Sequence, residues 1–324
     1  MRGILHPERY HGSPRKRGPF FEGWYYKLVD ASERQRWAVI PGIFLGERDA
    51  SGEAFVQVLD GSTGRATYHA YRTDEFRAAR DAFDVRVGAS RFGAEALALR
   101  IDSPERPIDG ELRFRGPVPW PVRWRSPGIM GPYAWVPFME CYHGVPSLDH
   151  SIEGSLRIAG ERIDFSGGRG YLEKDWGQAF PAAYVWMQTN HFETRGTSLS
   201  ASIAIIPWLR SSFRGFIVGL LHEGVLHRFA TYTGAQTEAL AIDDEHVTWS
   251  VRDRRLRLEM VAARAAGGLL ASPVRTEMHK RVDETLSAEV SIRLSRRDGG
   301  VLFEGRGRCA GLEVHGDLER LLRG

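Results

Sequence analysis

The sequence predicts an all-β protein made of two domains of similar size. Short runs of alternating apolar and polar residues follow one another along most of the chain, and turn signals such as Asp60-Gly61 and Asp109-Gly110 separate them. The two halves of the chain contain similar numbers of these runs. Spacing of this kind is typical of antiparallel barrels and sandwiches, and 324 residues are enough for two domains of ordinary size.

The first predicted strand covers residues 20–27 and combines aromatic with charged side chains. Its alternation places Glu22 on the same face as Trp24 and Tyr26, so a carboxylate lies among aromatic rings. Two interpretations of Glu22 stay open: it pairs with an arginine at the rim of the domain, or it is a carboxyl group inside an aromatic cavity. The further strands predicted in this half are 37–45, 54–59, 66–71, 83–87, 96–101 and 111–115, and only residues 74–80 have a helical pattern.

Residues 116–148 interrupt the strand pattern with seven prolines and three tryptophans. A flexible linker would be polar, so we predict an ordered lid or plug instead. The segment ends near Glu140 and the pair Tyr142-His143, where acid and imidazole groups again lie beside aromatic rings. In the strand that follows, His150 shares a face with apolar residues, and for such a residue a core histidine is the more frequent alternative to a catalytic one.

The stretch 170–192 combines polar and aromatic residues more densely than its neighbours. Its first part, 173–177 (EKDWG), is too polar and too short for a core strand, which predicts a turn. Its second part alternates with the period of a strand and places Trp186, Gln188 and Asn190 on one face. The remaining strands are predicted at 149–158, 199–206, 216–222, 226–232, 247–251, 256–262, 274–282, 288–294, 301–305 and 312–316.

Composition excludes several classes of function. The formal net charge of +3 is small and the arginines are dispersed, so nucleic acid is not an expected partner; the short basic run 15–17 is predicted to be a solvated arm. Cys141 and Cys309 are far apart and lack metal-ligand spacing, which argues against a disulfide framework or a zinc site. No signal-type apolar segment and no apolar run of about 18 residues occurs, which predicts a cytoplasmic protein.

Lysine and asparagine are scarce. Of 44 basic residues only Lys16, Lys27, Lys174 and Lys280 are lysines, and Asn190 is the only asparagine. When a general pressure removes a residue type, the survivors are enriched at positions where a substitute fails. We therefore expect Asn190→Ala to leave the fold intact and to impair ligand binding.

Sequence motifs for nucleotide, metal and nucleophile chemistry are absent. There is no phosphate-binding loop, no His-x-x-x-His pair and no Gly-x-Ser-x-Gly elbow. The string 305–310 matches G-x-G-x-x-A, but a strand pattern follows where a dinucleotide site needs a helix. Any chemistry must therefore use side-chain acids, bases and aromatic rings, and no cofactor or metal is expected.

Five separated strings carry a resemblance to a known family. They are FFEGWYYK (20–27), SPGIMGPY (126–133), VPFMECYH (136–143), HSIEG (150–154) and GRGYLEKDWG (168–177). Together, and in this order, they resemble the tocopherol cyclase family over residues 20 to about 316. The segment from the YLEKDW string through the following aromatic strand is more distantly similar to carotenoid hydratases and AttH-like proteins.

The resemblance implies an all-β fold of two lipocalin-like antiparallel β-barrels packed side by side, with few short helices. This fold matches the two sets of strands read from the sequence. The expected domains are then an extended N-terminal arm at 1–19, a first barrel at 20–178 that carries the lid 116–148, and a second barrel at 179–324.

The resemblance also implies a reaction, the cofactor-free cyclisation of a prenylated hydroquinone to a chromanol. Such a reaction needs a carboxylic acid kept protonated by an apolar pocket, aromatic faces for a tertiary cation, and groups that orient the phenol. The expected catalytic residues are Glu22, Glu140, Glu173, Asp175 and His143. The expected substrate-binding residues are Trp24, Tyr26, Tyr142, His150, Trp176, Trp186, Gln188 and Asn190.

Several alternatives stay open at this point. A related barrel could hydrate an isoprenoid double bond, because water can capture the same cation as a phenol. A non-catalytic carrier of lipids or isoprenoids is the third possibility. Lys174 has its own alternative, an ion pair with Glu173 or Asp175 that pins the predicted turn. In each case the expected partner is a hydrophobic prenylated molecule, collected through peripheral contact with a membrane.

Overall fold

The computed structural model describes residues 2–13, 16–47 and 52–323, and these are almost entirely β-structure. The chain divides into two compact units. Unit 1 comprises Met1–Phe180 and Leu269–Arg281, and unit 2 comprises Pro181–Gly268 and Val282–Gly324. The strands form two antiparallel sheets. The predicted all-β fold class is therefore confirmed, whereas Arg15 of the predicted basic arm lies outside the described residues.

The sheet of unit 1 has twelve strands. Neighbouring strands follow the order β4-β3-β2-β1-β12-β10-β9-β8-β7-β6-β5, and β11 pairs with β10. The strands are β1 (Phe20–Val29), β2 (Arg36–Leu45), β3 (Glu53–Asp60), β4 (Arg65–Tyr71), β5 (Phe76–Ala78), β6 (Asp84–Val87), β7 (Ser90–Gly93), β8 (Ala96–Ile101), β9 (Ile108–Arg115), β10 (Cys141–Ile158), β11 (Glu161–Asp164) and β12 (Arg169–Gly177).

One large apolar core lies on one side of this sheet, and a smaller cluster of Phe21, Phe44 and Phe55 is separate from it. Strands from β2 and β3 near one end of the sheet to β5 and β6 at the other contribute to one cluster of buried side chains. On β1, Trp24 and Tyr26 enter this core, and on β12 Leu172 does so. We call the side of the sheet that faces this core the inner face and the opposite side the outer face. Because successive side chains of a strand alternate, each strand contributes to both faces.

The second sheet has ten strands, in the order β16-β15-β14-β13-β22-β21-β19-β18-β17, and β20 pairs with β21. Apolar residues from these strands form a separate core, which includes Val185 and Met187. The strands are β13 (Ala183–Thr189), β14 (Ser198–Trp208), β15 (Ser211–His222), β16 (Val225–Ala230), β17 (Gln236–Ile242), β18 (His246–Arg252), β19 (Leu256–Ala263), β20 (Gly268–Pro273), β21 (Met278–Arg296) and β22 (Val301–Gly316).

Helical structure is limited to short segments. One α-helix, α1, covers Leu318–Arg323, and four 3-10 turns cover Arg2–Leu5, Thr73–Glu75, Gly131–Trp135 and Thr231–Thr233. Within the described residues, none of these helices has the length and apolarity that a membrane crossing requires.

The predicted turn at 173–177 was wrong, because these residues form the end of strand β12. β12 pairs with β1 on one side and with β10 on the other, so its backbone groups are bonded in both directions. The prediction failed because the charged side chains find partners on neighbouring strands, and a buried charge is tolerated when it is paired.

Four other predicted boundaries were wrong. The helical pattern at 74–80 is one 3-10 turn followed by β5, since Phe76 packs into the apolar core of unit 1. The predicted strands 301–305 and 312–316 are one strand, β22. The stretch 274–282 is split between the loop after β20 and the start of β21. Residues 141–148 of the predicted lid belong to β10.

Candidate active site

Strand β12 carries charged residues on both faces of the unit 1 sheet. Lys174 lies across from Trp24 of β1, on the inner face, whereas Glu173 and Asp175 point to the outer face. Asp175 lies directly across from His143 of β10. Adjacent residues of one strand therefore belong to two different polar groups.

The inner polar group is an ion pair between Lys174 and Glu22, both fully buried. The Lys174 ammonium also donates to the carbonyl oxygen of Arg9, and its Nζ lies 2.7 Å from Nδ1 of His11. The rings of Trp24 and Trp176 lie 4.9 and 4.7 Å from the same Nζ, measured to the ring centres. Each proton of the ammonium is thus directed at an acceptor or an aromatic face.

The N-terminal segment completes this group, and its part was missed by the sequence prediction of an extended arm. The backbone amides of His11 and Gly12 donate to the Glu22 carboxylate at 2.8 and 3.1 Å. The carbonyl oxygen of Glu8 accepts a hydrogen bond from Trp24 Nε1 at 3.0 Å. The segment folds over the inner face because a buried carboxylate and a buried indole need these partners. No residue pattern in 3–12 signals this role.

Hydrogen bonding indicates which ring nitrogen of His11 carries the proton. Its Nε2 lies 3.1 Å from the carbonyl oxygen of Gly3, which can only accept, so Nε2 carries the proton and Nδ1 accepts from Lys174. Burial and the Lys174 charge lower the pKa of His11. The imidazole is therefore neutral at neutral pH.

The electrostatics of the inner group make Glu22 unsuited to proton donation. Burial by itself would raise the pKa of Glu22, but its opposing interactions, above all with the Lys174 ammonium, outweigh burial and hold that pKa below its ordinary value. Burial lowers the pKa of Lys174 to about 8, which leaves it charged at neutral pH. Both partners are ionised, and the pair fixes the N-terminal segment to the barrel.

Two other inner-face candidates are core residues. Tyr26 is fully buried among phenylalanine rings and donates to the carbonyl oxygen of Gly93 at 2.9 Å. His150 Nδ1 lies 3.0 Å from Ser147 Oγ. Burial, with a contribution from Arg169, lowers the pKa of His150 to about 3, so this ring is neutral. These contacts favour the structural alternative for His150.

Tyr142 and Trp176 belong to a stack of rings beside the inner ion pair. Trp176 stacks on His11 at 4.2 Å and on Tyr142 at 5.5 Å, with nearly parallel planes. The Tyr142 hydroxyl donates to the carbonyl oxygen of Val136 at 2.5 Å. The stack packs the N-terminal segment against β10 and β12.

The outer polar group consists of His143, Glu173 and Asp175, with Tyr171 attached. His143 Nδ1 lies 2.8 Å from Asp175 Oδ1, and its Nε2 lies 3.6 Å from Glu173 Oε2. The Tyr171 hydroxyl donates to Glu173 Oε2 at 2.6 Å. One imidazole is thus held between two carboxylates, and we call His143, Glu173 and Asp175 the His143 cluster.

The two carboxylates decide the charge of this cluster. Burial would lower the pKa of an imidazole, but Asp175 and then Glu173 outweigh it and raise the pKa of His143 to about 9. His143 is therefore an imidazolium at neutral pH. Beside it, burial and Asp175 raise the pKa of the Cys141 thiol well above its ordinary value, so Cys141 is not a thiolate nucleophile.

Two further questions concern Glu140 as a possible acid and the His143 cluster as a possible metal site. Burial raises the pKa of Glu140, against the opposing charges of Arg275 and Arg281. The ligand atoms of the His143 cluster lie within 4.8 Å of one another, a spacing that could hold a divalent cation. His143 would first have to lose its proton, because metals bind the neutral imidazole.

In unit 2, the candidates Trp186, Gln188 and Asn190 are all buried. The side chains of Trp186 and Gln188 lie on the face of β13 opposite Val185 and Met187, which enter the core. Asn190 follows the end of β13, and the predicted alternation stops there: Phe192, expected beside Asn190, packs into the core instead.

Comparison with known proteins identifies the family. The model of the tocopherol cyclase-like family matches residues 134–316, more than half of the chain. The chain belongs to the tocopherol cyclase-like family. A probable chloroplastic tocopherol cyclase of Oryza sativa subsp. japonica is 22% identical over 242 residues, which cover 71% of this chain and 49% of that protein. The chain thus spans about half the length of the curated relatives it matches.

Two solved structures resemble this tocopherol cyclase-like chain in fold. Kievitone hydratase from Nectria haematococca aligns with a TM-score of 0.52 and 10% identity, covering 96% of this chain and 94% of that chain. CghA aligns with a TM-score of 0.56 and 14% identity, covering 92% of this chain and 89% of that chain. At these identities the likeness concerns the fold alone.

The polar groups of this tocopherol cyclase-like protein include residues that the sequence did not single out. Tyr171 shares the alternation of Glu173, and reading 169–177 as a strand would have found it. Glu313 accepts a hydrogen bond from Tyr184 at 2.6 Å, beside Trp186 on the polar face of unit 2. His11 gave no signal, because it lies in a segment without periodicity.

Proposed function

We propose that this protein catalyses the cofactor-free cyclisation of a prenylated hydroquinone to a chromanol. A proton adds to the prenyl double bond nearest the ring, the phenol oxygen forms a C–O bond with the resulting tertiary cation, and the phenol proton is released. No atom is gained or lost overall. The catalyst therefore needs one group that gives a proton and one that takes a proton up.

The observation that carries the proposal is the geometry of the His143 cluster, in which one imidazole lies 2.8 Å from Asp175 and 3.6 Å from Glu173. Its imidazolium, with a pKa of about 9, lies between two carboxylates, so a donor and an acceptor share one buried group. The proton taken from the phenol can replace the proton given to the double bond. Such a cluster can return to its starting state after each turnover without exchanging protons with solvent.

We assign the donation to Asp175, with His143 as the source of the proton. The Asp175 side chain is 23% exposed, and an apolar tail that covers it would remove its remaining water. Loss of water disfavours separated charges, which moves the proton from His143 Nδ1 toward Asp175 Oδ1 at 2.8 Å. Glu173, positioned by the Tyr171 hydroxyl, takes up the phenol proton.

Aromatic rings of the outer face are suited to stabilise the cation. Tyr25 lies directly across from Glu173, and Gly23 lies directly across from Asp175. A Cβ added at Gly23 would be in ordinary van der Waals contact with Pro41, Ile40 and Phe55, so the strand tolerates a methyl group across from Asp175. Phe21 and Tyr25 flank Gly23 on the same strand, and in this proposal they replace the inner-face Trp24 and Tyr26 in stabilising the cation.

Hydration of an isoprenoid double bond is the second candidate. The partial exposure of Asp175 favours it, because water can reach the place where a cation would form. The acid would act in the same way, and water would replace the phenol as the group that captures the cation. A carrier without catalysis is the remaining alternative.

The deciding experiment offers the purified protein a panel of prenylated hydroquinones and acyclic isoprenoids, with products followed by mass. Cyclisation leaves the mass unchanged, and in D2O it adds one deuterium per product; hydration adds one water. We expect Asp175→Asn to lower turnover by roughly 10²–10⁴-fold while binding is retained. The matched control is Asp84→Asn, which removes an exposed carboxylate paired with Arg91 and should leave turnover unchanged.

Each alternative has its own outcome. Binding of the panel with no product would identify a carrier and overturn the proposal. Full turnover by Asp175→Asn would remove Asp175 from the mechanism, and Glu140→Gln would then be tested as the next acid. A cytoplasmic location stays a prediction, which cell fractionation would check. A hydrophobic prenylated molecule as the partner also stays a prediction, which the substrate panel would check.

A further inference from the structure

We propose that residues 116–138, here called the Trp124 segment, dock on the surface of an anionic lipid bilayer. The inference goes beyond the proposed reaction and does not depend on it. It concerns a surface of unit 1 that includes neither of the polar groups of β12. Three observations carry it: exposed apolar side chains, an ordered backbone that holds them there, and a segment whose charged residues are all basic.

The Trp124 segment exposes large apolar side chains to solvent. Trp124 is 63% exposed and Phe138 is 47% exposed, and among the described residues they are the only large aromatic side chains in that state. Val118 and Val122 are exposed in the same segment. Because single exposed valines are ordinary but clustered exposed aromatic residues are not, this surface indicates an interaction site.

The exposure is not a consequence of a loose chain. The segment and β10 exchange backbone hydrogen bonds, from Leu148 N to Val118 O at 2.7 Å and from Val118 N to Asp149 O at 3.1 Å. Trp120 is buried and donates from its backbone amide to Val145 O at 3.0 Å. With Trp120 as an anchor, the neighbouring side chains are held outward.

The exposed rings are also held in place. Trp135 Nε1 donates to the carbonyl oxygen of Trp124 at 3.1 Å, and the two indole rings pack edge to face at 4.7 Å. Arg123 and Ser126 form an isolated antiparallel bridge that closes the turn between them. The segment thus presents a preformed apolar surface, which lowers the entropy cost of binding.

Charge identifies the partner as an anionic surface. No acidic residue occurs between Glu111 and Glu140, whereas Arg123 and Arg125 flank Trp124 and are exposed. In the described part of the chain neither arginine forms an ion pair. Tryptophan beside arginine, in a stretch of sequence without acidic residues, suits the headgroup region of a bilayer, where the ring enters the interface and the guanidinium meets phosphate.

The test is co-sedimentation of the purified protein with phosphatidylcholine vesicles, with and without phosphatidylglycerol. We expect binding to vesicles that contain phosphatidylglycerol, weakened by salt, and a loss of about tenfold or more in Trp124→Ser/Phe138→Ser. Arg123→Glu/Arg125→Glu should remove the preference for phosphatidylglycerol. The matched control is Leu209→Ser, an apolar residue that is 81% exposed outside the segment, and it should bind like the wild type.

Two results would overturn the proposal. One is binding that is equal in the wild type and in both double variants. The other is a dimer of the wild type that dissociates in Trp124→Ser/Phe138→Ser, which would show that a second copy of the chain covers the surface. Turnover of a substrate supplied in detergent micelles should be the same in both double variants, so loss of vesicle binding is distinguishable from failure of the catalytic proposal.

Discussion

Each face of the unit 1 sheet holds a group of charged residues at β12, and the two groups differ in burial and in hydrogen bonding. On the inner face, Lys174 and Glu22 are fully enclosed, and backbone groups of the N-terminal segment surround them. On the outer face, Asp175 is partly exposed, and His143 is hydrogen-bonded to Asp175 and lies 3.6 Å from Glu173. The inner pair joins one cation to one anion, whereas the outer cluster places one imidazole beside two carboxylates.

This difference separates structural from chemical use of a buried charge. In an ion pair that is enclosed from solvent, each charge stabilises the other. Removing one partner leaves a buried charge without its counter-ion, which destabilises the fold. Two carboxylates beside one imidazole raise the pKa of that imidazole and keep a proton available. Residue type alone does not distinguish the inner pair from the outer cluster, because both contain carboxylates and both lie in strings that resemble the same family.

The largest expected effect is on the inner face. Glu22→Gln should lower the free energy of unfolding by roughly 3–5 kcal/mol, because the Lys174 ammonium would remain buried without its counter-ion. Urea denaturation measures this change. Asp84→Asn, which breaks an exposed ion pair, is the control and should cost less than about 1 kcal/mol. A loss in Glu22→Gln no greater than in the control would remove the distinction between the faces.

On the outer face, the pH dependence should come from His143. The pKa of His143 is raised from 6.5 to about 9 in the folded protein, so its contribution to stability is fully present below about pH 6.5 and is lost as the pH rises through about 9. We expect turnover to fall over the same upper range, because the cluster loses its proton. A pH series of urea denaturation and rate, with His143→Gln for comparison, measures both; a His143→Gln profile identical to the wild type contradicts the assignment.

A double variant tests whether the inner group is needed for chemistry. Glu22→Gln/Lys174→Met removes both charges, and it should recover part of the stability that Glu22→Gln loses. We expect its turnover to stay within about tenfold of the wild type at a temperature where both are folded. If the double variant is stable but inactive, the inner pair acts in the reaction and the division between the faces does not hold.

The smallest expected effect is at Tyr171. Tyr171→Phe removes the hydroxyl that donates to Glu173, which should cost roughly 0.5–1.5 kcal/mol of stability and slow turnover modestly. Without this donor the Glu173 carboxylate holds a proton more readily, so the pH at which turnover falls should change. Phe92→Leu, a change in the apolar core without a polar contact, is the control for packing: it should leave the profile in place.

The strands were largely predictable from the sequence. Alternation along the chain identifies β1 and β13, and it is sufficient to place Glu22 on the same face as Trp24. The scarcity of lysine and asparagine selects Lys27, Lys174 and Asn190, all of which are completely buried. The local period of a strand is a property of the residues themselves, which is why the strand predictions succeeded; the role predicted for Asn190 stays a prediction.

The roles of the carboxylates could not be predicted in the same way. A turn was predicted at 173–177 because the segment is polar and short, and the partners of its charged residues lie far away in sequence. That prediction hid the alternation that places Lys174 on the opposite face from Glu173 and Asp175. A pKa depends on burial and on charges within a few ångströms, neither of which has a local signature. By sequence, Glu22 and Asp175 are therefore equal candidates for the proton donor, and only their surroundings distinguish them.

The sequence by itself determined an all-β chain with two sets of strands, an acid-rich motif at 173–175 and membership in a recognisable family. Only the tertiary structure decided that Glu22 pairs with Lys174 under the N-terminal segment, while His143 joins Glu173 and Asp175 on the other face. Strand pairing brings these side chains together, and distance and desolvation then fix their charges. Those quantities exist only once the sheet has formed.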